Sequence, residues 1–263
     1  MTLRVAVTGA GGRMGRAVAQ AVLSDANATL VSVCARQSSD LVGKSVASAL
    51  GIDLPDLRIG DTLDLSHADV VIDFTLPESS LAYARQCAGA GVPIVMGTTG
   101  FTDEQRVTLE ASVGSVASCR AANFSTGVNL AYRLLELSAK VLGEAADIEI
   151  HEAHHKHKID APSGTALAMG DAIAQAKGAD LSQVARYGRS SNREPGTIGF
   201  SVTRAGDIVG EHTVLFASEG ERLEITHKAS SRSAFATGAL KAAHFIADKP
   251  AGSYTMADVL GLS

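Results

Sequence analysis

A short β-branched run, Leu3 to Thr8 (L-R-V-A-V-T), opens directly into Gly9-Ala10-Gly11-Gly12-Arg13-Met14-Gly15. Behind it Met14, Val18, Ala21 and Val22 recur at helical spacing to about Ser24. Strand, glycine-rich turn and amphipathic helix in that order commit the start of the chain to a βα unit. Three further apolar runs follow, Leu30 to Cys34, Val70 to Phe74 and Val92 to Met96. Continuous runs, as opposed to alternating ones, mark strands covered on both faces of a parallel sheet. Helical stretches such as Ser79 to Ala90 separate them, so the first 125 residues read β-α-β repeatedly. The expected fold class is α/β, with a Rossmann-like, doubly wound parallel sheet. The 26 glycines and the absence of tryptophan fit close helix–sheet packing and tight turns.

The pattern changes after Phe124-Ser125-Thr126-Gly127. A long helix over about Val128 to Leu142 leads to a strand, Asp147 to Ala153, a histidine-rich segment and a helix over Ala166 to Lys177. Alternating segments follow: I-G-F-S-V-T-R, then H-T-V-L-F-A, then R-L-E-I-T-H. They are expected to run antiparallel, with turns at Ala205-Gly206-Asp207 and Glu219-Gly220-Glu221. A last helix, about Ser233 to Ile246, precedes a short tail and is expected to pack back on the first domain. The expected division is a dinucleotide-binding domain over 1–126 plus 234–263. An α+β domain over 127–233, with a mixed or antiparallel sheet, is expected as the second.

Composition removes several classes. At 46% hydrophobic and 19% charged residues the chain is not intrinsically disordered. No run approaches the roughly 18 apolar residues of a membrane span, and Met1 to Val7 read as a strand, not a signal peptide. A net charge of −5 argues against nucleic acid as partner. The three cysteines are odd in number and far apart, as expected of small buried hydrophobes in a reducing cytoplasm.

The glycine turn is an anion site in waiting, because orphan N–H groups and the helix dipole converge there. Gly9, Gly12 and Gly15 fall at three-residue spacing, a variant of G-x-G-x-x-G in which Met14 takes the sixth position. A tight βα turn without a ligand is the competing reading, and the context favours a dinucleotide. After the second strand, where a carboxylate would hold the ribose 2′-OH of NAD, stand Ala35, Arg36 and Gln37-Ser38-Ser39. A guanidinium with hydroxyls suits a 2′-phosphate, so NADPH is the expected cofactor and NADH the second choice; an ordinary exposed loop arginine is the alternative. Loops at the ends of later strands, Gly97-Thr98-Thr99-Gly100 and Ala121-Ala122-Asn123-Phe124, would line the cofactor crevice. Asp73, at the end of an apolar strand, is read as a buried turn anchor.

Four of the eight histidines, His151, His154, His155 and His157, lie within seven residues. Zinc is the first rival, but Lys156 and Lys158 put positive charge where a cation would sit, and helical H-E-x-x-H spacing is absent. No metal is expected. Lysines, a tunable imidazole and the cap Pro162-Ser163-Gly164-Thr165 at a helix start describe a pocket for a small dianion with a proton-transfer step. A solvated polar loop with a capped helix is the plainer reading, and the density of the cluster opposes it.

With both sites in view, the sequence resembles the 4-hydroxy-tetrahydrodipicolinate reductase (dihydrodipicolinate reductase) family over essentially the whole chain. The shared elements are V-T-G-A-G-G-R-M-G, V-V-I-D-F-T-x-P, M-G-T-T-G and A-N-F-S-x-G-V-N, then E-A-H-H-K-H-K-I-D-A-P-S-G-T-A, G-D-I-V-G-E-H-T-V, S-R-x-x-F-A-x-G-A-L and M-x-D-V-L-G-L. The resemblance implies NAD(P)H-dependent reduction of 4-hydroxy-tetrahydrodipicolinate in lysine and diaminopimelate biosynthesis. His154 matches the catalytic acid/base and Lys158 the proton donor. His155, Gly164 and Thr165 match the substrate-carboxylate contacts, and Gly9 to Met14, Gly97 to Thr99 and Ala121 to Phe124 the dinucleotide contacts. Many relatives carry an acidic residue where Ala35 stands, a departure that favours NADPH. The family is usually a homotetramer built through its second domain. A reductase of another small dicarboxylate and a non-catalytic NADP-binding sensor are the other classes considered.

Overall fold

The computed structural model describes residues 2–54, 56–143, 145–188 and 192–262. Met1 and Ser263, the outer ends of the first expected domain, lie outside the described residues. The chain divides into two compact units, one holding the residues up to Thr126 together with those from Arg232 onward, the other Gly127–Ser231.

The first unit starts as the glycine turn requires. β1 (Leu3–Val7) is buried at Leu3, Val5, Ala6 and Val7, and α1 (Arg13–Ser24) turns Val18, Ala19 and Val22 onto the same core. β2 (Ala28–Val33), α2 (Val46–Leu50), β3 (Val70–Asp73), α3 (Pro77–Ala90), β4 (Ile94–Met96), α4 (Asp103–Val113) and β5 (Ala117–Arg120) follow. All four residues of β3 are buried, as the uninterrupted V-V-I-D run anticipates for a strand covered on both faces. Thr102 and Gln105 form a reciprocal capping box that starts α4.

All of α5 (Thr126–Leu142) after its first residue belongs to the second unit, followed by β6 (Asp147–His154), α6 (Gly164–Ala176), α7 (Leu181–Val184), β7 (Ala185–Tyr187), β8 (Ile198–Arg204), β9 (Gly210–Ser218) and β10 (Glu221–Ala229). Its sheet order is β10-β9-β6-β8-β7. The three alternating segments run in opposite directions in turn, as expected, but the structure corrects their adjacency. β9 and β10 form the expected hairpin, closed by Glu219 and Gly220, the latter at φ +89°. β8, however, runs parallel to β6 and to β7, and β6 lies between β8 and β9. The reason is local: Ala205 N–H donates to His154 O and Lys156 N–H to Gly206 O, so the connection after β8 crosses the end of β6. β9 then lands on the opposite edge of β6. The sheet is mixed. Met169, Ile173 and Ala174 of α6 share a core with Ile148, Ile150, Phe200, Val214 and Phe216.

The chain then re-enters the first unit as α8 (Ser233–Ile246), which packs on α1 and on β3 to β5. What reads as a tail contains β11 (Gly252–Tyr254) and α9 (Met256–Leu260). β11 pairs parallel with β5, giving a six-stranded sheet of order β11-β5-β4-β3-β1-β2 in which every pairing is parallel. The order reverses between β1 and β3, the switch point at which doubly wound sheets open a crevice beyond their carboxyl strand ends. Among the described residues no helix is long and apolar enough to cross a membrane.

Candidate functional site

At the end of β1 the chain leaves the sheet through Gly9, at φ +71°. A Cβ there would stand 2.8 Å from the Phe74 carbonyl oxygen, and a Cβ at Gly15 would stand 2.2 Å from the Gly9 carbonyl oxygen. Gly12 N–H donates to Gly9 O at 2.8 Å, and Ala10 N–H to Cys34 O at 3.0 Å, which fixes the turn against β2. α1 begins at Arg13 with Gly12 as its N-cap and no capping side chain. Gly11, Gly12 and Arg13 are exposed and Met14 half-buried. First-turn N–H groups lack intrahelical acceptors and the dipole adds positive potential, so the turn can receive a pyrophosphate. A tight turn with no room for a Cβ at Gly9 or Gly15, under a helix start with no side-chain cap, fits a dinucleotide.

The other two loops gather at the same sheet end around Phe74. A Cβ at Gly97 would lie 2.0 Å from the Phe74 ring, and the Phe124 ring meets that of Phe74 edge-on at 5.8 Å. Ala121 N–H donates to Met96 O, and Asn123 Oδ1 accepts from Ser125 N–H. α8 holds this loop from behind, since a Cβ at Gly238 would stand 1.7 Å from the Phe124 carbonyl oxygen. Asp73 is fully buried, and its carboxylate accepts from the hydroxyls of Thr8 (2.6 Å), Thr75 (2.7 Å) and Thr98 (2.8 Å). It is the turn anchor read from the sequence, joining the ends of β1, β3 and β4. The hydroxyl of Thr98, expected at the cofactor, is engaged in this anchor, while Thr99 and Gly97 continue the loop. Beyond β2, Ala35 is buried and Arg36 exposed, and the Arg36 carbonyl accepts from Ser39 N–H.

In the second unit β6 carries the histidine segment, and its pleat separates the ring positions. His151 points to the exposed side, where its Nδ1 meets Ser201 Oγ at 2.9 Å. Ile148, Ile150, Glu152 and His154 share the buried face. His155 is half-buried and His157 exposed, with 6.2 Å between their rings. Among the described residues no group of three metal-ligating side chains converges.

Glu152, wholly buried, is the centre of this face. Its carboxylate accepts from His154 Nδ1 at 2.6 Å, from both terminal nitrogens of Arg204 at 2.8 and 2.7 Å, and from Ser163 N–H at 2.9 Å. Burial alone would raise the Glu152 carboxyl, but Arg204, His154 and Ser163 outweigh it and bring it to about 2. Burial lowers His154 below its ordinary value, with Glu152 opposing and Lys158 and Arg204 adding to the fall. The balance favours the neutral imidazole. A Cβ at Gly210 would sit 3.0 Å from its Nε2, so glycine at that position keeps the nitrogen uncovered by a side chain. His212 packs edge-on against His154 at 5.1 Å and meets Ser163 Oγ at 3.0 Å, and burial pushes it down to about 4.

Ser163 also caps α6 by accepting from Ala166 N–H at 3.2 Å, and Gly164 and Thr165 begin the first turn just after it. The Lys158 ammonium lies 2.8 Å from Asp160 Oδ2, and Lys158 N–H donates to His155 O. Thus a neutral imidazole, an ammonium and a helix start stand on one short stretch of chain. They can bind a carboxylate and move a proton.

Reading the sequence did not single out Glu152, Arg204, Gly210 or His212. Glu152 had a usable signal: on a strand it shares a face with Ile148, Ile150 and His154, and a carboxylate on a buried face must have partners. His212 lies in the shared G-D-I-V-G-E-H-T-V element, but its place in the site, like that of Arg204, depends on the order of strands in the sheet.

Residues 3–124 match the family described as "Dihydrodipicolinate reductase, N-terminus", and residues 127–260 the one described as "Dihydrodipicolinate reductase, C-terminus". The chain is 51% identical to the 4-hydroxy-tetrahydrodipicolinate reductase of Alkalilimnicola ehrlichii, with all of both chains covered. It is 48% identical to that of Saccharophagus degradans over the same full coverage. A dipicolinate-bound dihydrodipicolinate reductase from Paenisporosarcina sp. TG-14 shares the fold, at a TM-score of 0.75, 24% identity and coverage of 98% of this chain and 99% of that one. Two family halves that meet at the boundary between the glycine cradle and the histidine face, and relatives half identical from end to end, place this chain in the dihydrodipicolinate reductase family.

Proposed function

We infer that the chain is an NAD(P)H-dependent oxidoreductase that reduces 4-hydroxy-tetrahydrodipicolinate to tetrahydrodipicolinate, with loss of water, in lysine and diaminopimelate biosynthesis. The observation that carries this reading is the face built by Glu152, His154, Lys158 and the start of α6, which suits a small dicarboxylate and a proton transfer. Gly9 to Met14 receive the pyrophosphate, with Gly97 to Thr99 and Ala121 to Phe124 at the neighbouring strand ends. Reduced nicotinamide, when bound, supplies a hydride for C4 of the dehydrated ring. Lys158 provides the proton for the ring carbon beside C4, and His154 serves as acid/base through Nε2. His155 and the amides of Gly164 and Thr165 hold a ring carboxylate.

NADPH is the preferred cofactor in this reading, because no carboxylate follows β2 and Arg36 is exposed beside Ser39. The test is a coupled assay that supplies the condensation product of pyruvate and aspartate semialdehyde and follows NADPH and NADH oxidation separately. Both should be oxidised only with substrate present, and NADPH faster. Arg36→Ala should lower kcat/KM for NADPH about tenfold, the worth of one lost charged hydrogen bond to phosphate, and leave NADH almost unchanged. Equal losses would remove Arg36 from cofactor selection. A folded protein that binds NADPH but oxidises neither cofactor would favour another dicarboxylate or a sensor.

The protein acts as a homotetramer in this reading, joined through the second unit. The sheet face opposite α6 exposes Ser201, Arg222, Glu224 and Thr226, and β10 leaves one long edge strand with Leu223 exposed. Light scattering should give about four times the 27.0 kDa of one chain, and a monomer mass would refute it. A cytoplasmic location accords with three unpaired, buried cysteines.

A further inference from the structure

We propose that Glu152 is a positioning residue for this reduction: its carboxylate sets the tautomer of His154, so that an unprotonated Nε2 faces the substrate, and it also anchors the start of α6. The kinetic part rests on the reductase reading above; the tautomer does not.

The argument is one of donors and acceptors. An ionised carboxylate only accepts, so its 2.6 Å contact with Nδ1 requires the hydrogen on Nδ1. In a neutral imidazole the other nitrogen is then bare. A protonated Glu152 donating to Nδ1 would reverse this, but both of its oxygens already receive an Arg204 N–H, and Oε1 receives the Ser163 N–H as well. Arg204 thus keeps the carboxylate an acceptor. The same guanidinium donates to the Asp160 carbonyl at 2.6 Å, tying down the loop whose Asp160 side chain holds Lys158. One buried ion pair therefore registers His154, Lys158 and the α6 cap against each other. The fold has no need of it, because a well-packed apolar pair in such a place is commonly as stable or more so.

The groups facing His154 are Glu152 on its own strand, Lys158 on the loop after β6, Arg204 on β8 and His212 on β9. Of these only Glu152 favours the imidazolium, so its removal has a signed effect on pH dependence.

The experiment combines kinetics with long-range proton–nitrogen spectra of histidine-labelled protein, in which His154 is assigned through His154→Gln. Wild type should show His154 as the Nδ1–H tautomer at neutral pH. Glu152→Gln should lose that single tautomer and lower kcat on the order of a hundredfold or more, as when the carboxylate orienting a catalytic histidine is neutralised. It should also raise KM, shift the acid limb of kcat to lower pH, and leave NADPH affinity by calorimetry unchanged. Arg204→Lys, which keeps the positive charge, should retain the tautomer and lose less activity. An Nε2–H tautomer in wild type would overturn the proposal, as would a folded Glu152→Gln with wild-type kcat and pH profile. If Glu152→Gln does not fold, wild type and Arg204→Lys decide it, and either one lacking the Nδ1–H form refutes it. If wild type oxidises neither cofactor, the reductase reading fails while the spectra still report on Glu152.

Discussion

Lys158→Ala should lower kcat for the reduction by about 10²–10⁴, the range associated with a positioned proton donor. NADPH affinity and melting temperature should hardly change. Stability is spared because the Lys158–Asp160 pair is partly open to water, with the two side chains 22% and 60% exposed. Such pairs contribute about 0–1 kcal/mol. His154→Ala should cost turnover on a similar scale, but its stability should fall by about 1–3 kcal/mol. Its imidazole is one of the four donor contacts to a buried carboxylate, and the loss leaves Glu152 under-satisfied. The two variants thus part on thermal denaturation while agreeing on kinetics. Turnover retained by Lys158→Ala would move proton donation to another group. An equal loss of turnover and NADPH affinity in His154→Ala would point to misfolding and take His154 out of the chemistry.

The two sites differ in how much of each is legible in the sequence. The glycine turn is local: strand, turn and helix are consecutive, so Gly9 to Met14 and their environment follow from thirteen residues of sequence. The loops at Gly97 and Ala121 could be placed too, because strands of a parallel sheet end on the same side. What is not legible is that Phe74 packs against both loops, since one contact depends on the missing Cβ at Gly97 and the other on the edge-on ring of Phe124. The histidine face is legible only on its own strand. His154, Lys158 and the Ser163 cap are neighbours in sequence, whereas Arg204 arrives 52 residues after Glu152 by pairing of β8 with β6. Alternation in β8 and β9 identifies both as strands, and they do run in opposite directions, but it does not say which edge of β6 each takes, so their separation by β6 is not legible. β11 is hidden in the sequence for the opposite reason. Gly252-Ser253-Tyr254 has no apolar run, and only its pairing with β5 makes it a strand.

Gly15→Ala sets two effects of known sign against each other. Gly15 is the third residue of α1, and alanine is favoured over glycine in a helix by about 1 kcal/mol, so propensity alone forecasts stabilisation. The new methyl, however, would lie 2.2 Å from the Gly9 carbonyl oxygen, 2.6 Å from its carbon and 3.1 Å from Ala10 N. These are backbone atoms of a turn fixed by Gly12 N–H and by the Cys34 carbonyl, and no rotamer change can move them aside. Overpacking of this kind costs about 1–3 kcal/mol, enough to cancel or exceed the propensity gain. The displacement falls on the N–H groups expected to receive the pyrophosphate, so the larger effect should be on binding: NADPH affinity lower by a hundredfold or more. Gly11→Ala is the control for fold. Its Cβ would meet nothing closer than Leu41 at 3.5 Å, an ordinary contact, and its φ is not in the left-handed region. Gly11→Ala should therefore melt within about 0.5 kcal/mol of wild type, as expected of a substitution that disturbs no packed feature. Calorimetric titration with NADPH and thermal denaturation of both variants decide the matter. A Gly15→Ala protein that is stabilised and binds NADPH normally would mean that the turn can open without loss, and the anion would then have to be held elsewhere than at the start of α1.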